Sequence, residues 1–183
     1  MGALLTTADS ALLTLASCPA KRQVAARPDD PNVGLMTKAA TACSVPVFRV
    51  RYSPDQDPAA DKPTVAYAAQ HKIYPLNTAT EDWAATALGV DVAAVNRTTL
   101  IVIGHWLEEA VTFLVLRALS HSYKVYVAFD GIASETTNAG ETARQRLLYA
   151  GAIPTTVHQV VREWAATTSE RNRRQTLLDL SAE

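Results

Sequence analysis

The sequence predicts a three-layer α/β/α protein with a central, mostly parallel sheet, and three observations lead to this prediction. Strand-like and helix-like segments alternate along the whole chain, which is the pattern of repeated βαβ units. Residues 99–103 are a continuous apolar, mostly β-branched run, as expected of a strand that is buried on both faces. A long apolar segment over residues 107–120 follows, as expected of a buried covering helix.

The first half of the chain contains two strands and several helical segments, which are recognised by periodicity and by turn residues. A short apolar run predicts the first strand, and a β-branched and aromatic run predicts the second. Gly89 is expected to close a short helix with an acidic start. The third strand is left without firm bounds. In order, we predict a strand over 3–7, a helix over 32–43, a strand over 45–52, a loop over 53–63, a helix over 81–88 and a helical turn over 91–96.

The second half of the chain repeats the same alternation more clearly. Gly104 ends the central strand and opens a turn, Gly131 follows the next strand, and Gly151 follows an amphipathic helix. We predict strands over 99–103, 124–129 and 153–157, helices over 107–120, 138–150 and 159–164, and a polar helical tail. The whole chain, 1–183, is expected to be a single domain, with the tail over 165–183.

Composition excludes several classes of function. The chain has 183 residues, of which 48% are hydrophobic and 19% charged, with a net charge of −1, so a globular core is expected and a nucleic-acid partner is not. The two cysteines, Cys18 and Cys43, form no disulfide framework, which indicates a reducing compartment such as the cytoplasm rather than secretion. No apolar run reaches the roughly 20 residues that a membrane span needs.

The segment around the central strand also carries the strongest functional signal. Residues 99–111 read T-L-I-V-I-G-H-W-L-E-E-A-V, and the turn after a parallel strand is where α/β proteins bind ligands. This segment resembles the nucleophile turn of the isochorismatase-like cysteine hydrolases, in which a strand is followed by G-x-x-T-E-x-C-V. Residues 3–15, 124–134 and 150–164 resemble other segments of that family, so the resemblance extends over nearly the whole chain.

The resemblance implies a catalytic triad of aspartate, lysine and cysteine, and the sequence departs from it at two positions. In the family the thiolate attacks a carbonyl or nitrile carbon, the aspartate acts as base and the lysine supports the charge. Here the cysteine position is Ala110, and the aspartate position is Thr7 in an ungapped alignment. Lys72 corresponds to the lysine, and Asp9, two residues beyond Thr7, is an alternative carboxylate.

Four polar or aromatic residues near the turn are candidate ligand-binding residues. His105 and Trp106 follow Gly104 and could either bind a planar or anionic ligand or fill the former pocket. Glu108 and Glu109 stand in the first turn of the helix, where the helix dipole alone would favour them. The four histidines lack metal-ligand spacing and no phosphate-binding glycine motif is present, so neither a metal nor a cofactor is predicted.

Three functions are compatible with these observations. The first is a non-catalytic protein with the isochorismatase-like fold, which serves as a structural subunit in a homo-oligomer or a larger complex and uses the helix over 107–120 as its contact surface. The second is a rewired hydrolase of small amides, nitriles or vinyl ethers that uses Lys72, with Asp9, His105 or Glu109 in acid–base roles. The third is a module that binds a small molecule without converting it.

Overall fold

The sheet has the predicted class and is parallel throughout the described part of the chain. A computed structural model describes residues 4–17, 30–52, 72–76 and 82–182. Neighbouring strands pair in parallel in the order β3-β2-β1-β4-β5-β6, so the strand order reverses between β1 and β4. The strands within these ranges are β1 (Ser10–Ser17), β2 (Val47–Tyr52), β3 (Ile73–Leu76), β4 (Thr99–His105), β5 (Lys124–Ala133) and β6 (Ile153–Thr155).

Helices cover both faces of this sheet. A single-turn 3₁₀ helix (Trp83–Ala85) precedes α2, and a π-helical turn (Leu107–Val111) leads directly into α3. The α-helices of the described residues are α1 (Pro31–Ala42), α2 (Ala87–Ala94), α3 (Thr112–Ser120), α4 (Thr137–Tyr149), α5 (Val157–Thr167) and α6 (Arg171–Leu180). None of these described helices is long and apolar enough to cross a membrane.

The sheet separates two apolar cores, because alternate residues of each strand point to opposite faces. Leu13, Leu15 and Val102 belong to a core with residues of α2, α3 and α4. Leu12 and Ile103 belong to the other core, with residues of α1, α5 and α6. We call the first side the α3 face and the second side the α1 face.

The predicted first strand is wrong, and the correct strand lies seven residues further along. β1 comprises Ser10–Ser17 rather than residues 3–7. Leu4 is 56% exposed, whereas Leu12 and Leu13 are fully buried between two neighbouring strands. Leu5 is buried beside α5, where its N–H donates to Glu163 Oε2 at 2.7 Å. Residues 3–7 and 10–17 are both short apolar segments, so hydropathy alone did not show which of them is the central strand.

The helix predicted to end at Gly89 is also wrong in its bounds. Residues 83–85 form the 3₁₀ turn, and α2 then continues through Gly89. A Cβ on Gly89 would lie 1.9 Å from the carbonyl oxygen of Trp83, so this glycine permits close packing rather than ending the helix. Thr86 caps α2 instead, since its Oγ1 accepts the Gly89 N–H at 3.0 Å.

The remaining predicted elements agree with the structure apart from small shifts at their ends. The helices at 32–43 and 138–150 are confirmed as α1 and α4, and the polar tail contains α6, whose Leu177 is fully buried. β5 extends to Ala133, beyond the predicted end at 129, and its pairing with β4 shifts register between Val102 and Gly104. The loop predicted at 53–63 lies outside the described residues.

Candidate functional site

The point where the strand order reverses lies between the carboxyl ends of β1 and β4. In parallel α/β sheets ligands bind at this switch point. Leu15 of β1 is level with Gly104 of β4, and a Cβ on Gly104 would lie 2.2 Å from the Leu15 carbonyl oxygen. Gly104 also has a φ of +123°, which L side chains rarely adopt. Glycine is therefore required where β4 turns towards α3.

The turn after Gly104 resembles a nucleophile turn in its position but has an unusual first helical segment. The peptide bond between His105 and Trp106 is cis. The N–H groups of Glu109 and Val111 both donate to the Trp106 carbonyl, at 3.3 and 3.1 Å. Thr112 Oγ1 donates to the Leu107 carbonyl at 2.5 Å. These hydrogen bonds stabilise the backbone of the π-helical turn that follows β4.

Ala110, which the sequence resemblance assigns to the cysteine position, lies inside an apolar core. Its side chain is fully buried, and Leu15 and Leu107 of the same core are 4% and 5% exposed. Trp106, at the start of the turn, is 7% exposed. Within the described residues, the α3 side of the switch point therefore consists of apolar side chains.

The structure does not bring Thr7, to which the sequence resemblance assigns the aspartate position, or Asp9 to this turn. Both residues precede β1, and the Asp9 carbonyl accepts the N–H of Thr99, the first residue of β4, at 3.1 Å. They consequently lie at the amino edge of the sheet, whereas Ala110 follows the carboxyl edge. On β1, the residue that points to the α3 face level with Gly104 is Leu15. Residues 11–15 then take the place of the family's V-L-L-V-D pattern.

Lys72 is also separated from Ala110. Lys72 precedes β3. The pairing of β3 with β2, of β2 with β1 and of β1 with β4 places Ile73, the first residue of β3, at the same height in the sheet as Ile103 of β4. Three strand spacings of about 4.8 Å separate β3 from β4. The Lys72 ammonium group forms a salt bridge with Asp91 of α2.

The salt bridge of Lys72 belongs to a small polar cluster at the outer strand. Tyr74 Oη donates to Asp91 Oδ2 at 2.6 Å, and Lys72 Nζ lies 4.8 Å from the centre of the Tyr74 ring. The hydrogen bond from Lys72 lowers the pKa of Asp91 below its ordinary value, and the same bond raises the pKa of Lys72. The cluster connects β3 to α2.

His105 points away from Ala110, because successive residues of β4 alternate between the two faces. It is half-buried, and burial lowers the pKa of its imidazole below the ordinary 6.5, although the nearby Asp30 carboxylate and a hydrogen bond with the Leu15 backbone act in the opposite direction. Its ring centre lies 5.6 Å from that of Trp106. The imidazole lies on the α1 face, where burial disfavours its charged form.

Glu108 accepts hydrogen bonds within the protein, which its position in the first helical turn did not predict. Its Oε1 accepts hydrogen bonds from Ser134 Oγ and from the Glu135 N–H, the latter at 2.8 Å. Its Oε2 is buried and has no hydrogen-bond partner among the described residues. Glu108 thereby ties the turn after β4 to the end of β5. Glu109 is half-buried on the same turn.

The described residues contain no group of three or more His, Cys, Asp or Glu side chains that could hold a metal ion. Cys43 is free and buried, and burial raises the pKa of its thiol. A raised pKa keeps the thiol protonated and makes it a poor nucleophile. Cys18 lies outside the described residues.

The arrangement of strands, helices and turn is that of the isochorismatase-like hydrolases. No family model matches the sequence, and no curated protein matches it. An isochorismatase-like hydrolase from Alkaliphilus metalliredigens has a TM-score of 0.61 and 18% identity, over 86% of this chain and 99% of that chain.

Two YcaC structures are more similar. YcaC from Escherichia coli, an octameric hydrolase of unknown specificity, has a TM-score of 0.74 and 19% identity, over 99% of this chain and 92% of that chain. YcaC from Pseudomonas aeruginosa, solved with hexane-2,5-diol and covalent acrylamide, has a TM-score of 0.73 and 19% identity, over 97% and 91%. At these identities, the similarity establishes the shared fold.

Proposed function

We propose that this protein is a non-catalytic relative of the isochorismatase-like hydrolases and acts as a structural or interaction subunit of an assembly. The observation that supports the proposal most strongly is the environment of Ala110. The residue is fully buried at the turn where the hydrolases carry their nucleophile, and Leu15 occupies the strand position that faces this turn. The turn is retained as architecture, and its neighbours are apolar.

We expect that the thiolate chemistry of the hydrolases does not proceed with these side chains. Attack on an amide or nitrile carbon needs a thiolate or hydroxide nucleophile and a base to accept a proton. The methyl group of Ala110 has no lone pair, and Leu15 can neither accept nor donate a proton. The P. aeruginosa YcaC structure contains covalent acrylamide, whereas Ala110 has no group that could form such a bond.

A role in an assembly is supported by apolar side chains on the surface of the α3 face. Phe113 of α3 is 38% exposed, Val90 of α2 is 54% exposed and Tyr149 of α4 is 92% exposed. The helix over 107–120 was predicted to be a contact surface, but only part of it is exposed to solvent. Leu114 and Val115 are fully buried within the protomer, so most of the helix is apolar because it packs on its own sheet. The exposed surface for a partner centres on Phe113.

The octameric state of E. coli YcaC gives the proposal its expected form, which is a homo-oligomer. A free, buried Cys43 is compatible with the reducing cytoplasmic environment that the cysteine content predicts. We infer no nucleic-acid partner, since the net charge of −1 offers no basic footprint.

Two measurements test the proposal. Wild-type protein is incubated at high concentration with a panel of amides, nitriles and vinyl ethers, and we expect no turnover above buffer. Its mass in solution is measured over a range of concentrations, and we expect an integral multiple of the protomer mass. Turnover of any substrate would contradict the non-catalytic assignment, and a monomer at every concentration would contradict the assembly.

A pair of matched substitutions locates the contact surface. Phe113→Glu places a charge on the α3 face, and we expect it to dissociate the oligomer while the circular dichroism spectrum stays unchanged. Leu178→Glu is the control, because Leu178 is 44% exposed on α6, on the opposite side of the sheet. Dissociation by the control alone would assign the contact to the α1 face instead.

A further inference from the structure

On the α1 face, helix α6 is attached to the protein by far fewer buried side chains than α5. Five residues of α5 are buried, whereas Leu177 is the one buried residue of α6 (Arg171–Leu180). Arg174 Nη2 donates to the Thr168 carbonyl at 2.9 Å, so α6 is also bonded to the link that follows α5. Segments with few buried apolar contacts are those that open locally while the rest of a protein stays folded. Detachment of α6 would therefore expose little apolar surface.

The first turn of α6 lies beside the buried thiol of Cys43. Cys43 follows α1, is 4% exposed and belongs to the same core as Leu177. The charges of Arg173 and Glu170 both act on this thiol, and the two side chains form a salt bridge at 3.0 Å. Since α6 also contacts α1, it covers the end of α1 at which the thiol lies.

The segment over residues 4–6, which we call the strap, holds the end of α5 from which α6 departs. Leu5 is 3% exposed, and its N–H donates to Glu163 Oε2 at 2.7 Å. The Leu5 carbonyl accepts a hydrogen bond from Thr167 Oγ1 at 3.0 Å, and Thr167 is the last residue of α5. The neighbouring Leu4 is 56% exposed. The strap therefore holds α5 chiefly through Leu5.

The chain on the other side of the strap is anchored separately, inside the core. Ser10 Oγ of β1 donates to the Thr6 carbonyl at 2.6 Å and accepts the Nε1–H of Trp164 at 3.3 Å. Trp164 of α5 is fully buried. Release of Leu5 would consequently free the last turn of α5 and leave the bond between α5 and β1 in place.

We propose that α6 is a hinged lid over Cys43 and that the strap is its latch. The hinge is the link over residues 168–170, in which Thr168 and Glu170 have extended backbone. In the open state α6 leaves α1, while the sheet and most of α5 remain folded, and the Cys43 thiol meets solvent. The strap thereby controls how readily this thiol is modified. The lid depends neither on the absence of catalysis nor on the oligomeric state proposed above.

The urea dependence of thiol alkylation in the wild-type protein tests for the lid. The rate at which iodoacetamide alkylates Cys43 is measured by peptide mass mapping at urea concentrations below the unfolding transition. Opening of one helix exposes little surface, so we expect the rate to be nearly independent of urea in this range. A rate that rises as steeply with urea as the global unfolding equilibrium would overturn the proposal, because the thiol would then be reached only by complete unfolding.

Two substitutions test the latch and the lid separately. Leu5→Ala removes the buried side chain of the strap, and Leu177→Ala removes the buried side chain of α6. We expect each to accelerate alkylation of Cys43 by about tenfold or more, because each favours the open state. Leu4→Ala, at the exposed neighbouring position, is the control and should react at the wild-type rate.

Leu88→Ala distinguishes local opening from a general loss of stability. Leu88 of α2 is 3% exposed in the core of the α3 face, so the substitution is the same in kind but distant from the lid. Circular dichroism and urea denaturation establish that each variant is folded and how stable it is. We expect Leu88→Ala to destabilise the protein without accelerating alkylation of Cys43 in the absence of urea. Equal acceleration by Leu88→Ala and Leu5→Ala, or an unchanged rate in Leu5→Ala, would overturn the proposal.

Discussion

At the switch point, the two faces of the sheet differ in the burial and in the polarity of their side chains. On the α3 face, Leu15 and Ala110 are buried in an apolar core. On the α1 face, Ala16 is exposed and pairs with Arg51 of β2. Only one residue along β1 separates the two environments, because successive side chains of a strand point to opposite faces.

This difference shows which contacts keep the shape of the turn. The turn after β4 depends on Gly104, on the hydrogen bonds to the Trp106 carbonyl and on the bond between Glu108 and Ser134. None of these contacts requires a nucleophile at residue 110. The contacts that stabilise the turn are therefore independent of a reactive group at residue 110.

The largest effect is expected from placing the same charge on each face in turn. Leu15→Asp removes a buried side chain and buries a carboxyl group, and we expect it to lower the free energy of unfolding by about 4 kcal/mol or more. Ala16→Asp puts the carboxyl group on the exposed face and should cost about 1 kcal/mol or less. Urea denaturation of both variants measures the difference. Equal losses would mean that both faces are open, which would refute the comparison.

A slightly smaller effect is expected at Gly104, where the two faces meet. Gly104→Ala forces a side chain into a φ of +123° and within 2.2 Å of the Leu15 carbonyl oxygen, so we expect a loss of about 3 kcal/mol or more. Gly34→Ala is the matched control, because Gly34 lies in α1 and a Cβ there would meet nothing within 4 Å. The control should stabilise the protein by about 0.5–1 kcal/mol. An unchanged stability of Gly104→Ala would show that β4 and β1 are further apart than described.

The pH dependence of stability probes the α1 face through His105. Burial lowers the pKa of its imidazole below 6.5, so the unfolded chain binds a proton at a higher pH than the folded protein does. The stabilising contribution is complete above pH 6.5 and is lost as the pH falls through the folded pKa. Unfolding curves of wild type and His105→Gln should therefore diverge below pH 6.5, with the wild type losing more stability. A titration of His105 by NMR with a pKa above 6.5 would contradict this.

The smallest effect is expected at the Lys72–Asp91 pair, which belongs to neither face of the switch point. The pKa of Asp91 is lowered from 3.8 and that of Lys72 is raised from 10.5. The contribution of the pair is therefore present between these two values, and is lost below the folded pKa of Asp91 and above that of Lys72. Lys72→Met should lower the melting temperature slightly at pH 7 and not at pH 2, with Lys38→Met on α1 as the exposed control. A change in binding or turnover without a change in stability would indicate a functional role for Lys72.

Much of the fold could be predicted from sequence, because β4 and the helix after it carry long apolar runs that only a buried strand and a buried helix explain. The first strand could not, since residues 3–7 and 10–17 are both short and apolar and differ only in their tertiary neighbours. Because of that shift, Thr7 lies before β1 rather than on it. The polar row on the α1 face was not predicted either, because Arg49 and Arg51 lie 33 and 35 positions from Ala16 and were treated only as part of an alternating strand.

The sequence also could not separate Lys72 from Ala110. Lysine, carboxylate and turn were all present, and only the order and register of the strands show that Lys72, before β3, lies three strand spacings from the strand that leads into the turn. Likewise, the bond from Ser134 to Glu108 joins residues 26 positions apart and leaves no local pattern. The general lesson is that residue types predicted the class of fold, whereas the sheet register decided which side chains meet.

The most direct test of the filled turn is the reactivity of a cysteine placed back at its centre. Ala110→Cys is treated with iodoacetamide in the folded and the urea-unfolded state, and peptide mass mapping follows alkylation at residue 110, with the buried Cys43 as an internal reference. The account predicts that folding slows alkylation at residue 110 by about a hundredfold or more, since a thiol buried among apolar side chains stays protonated and inaccessible. Alkylation in the folded protein as fast as in the unfolded chain, or faster, would show that an open and activating pocket still exists and would contradict the account.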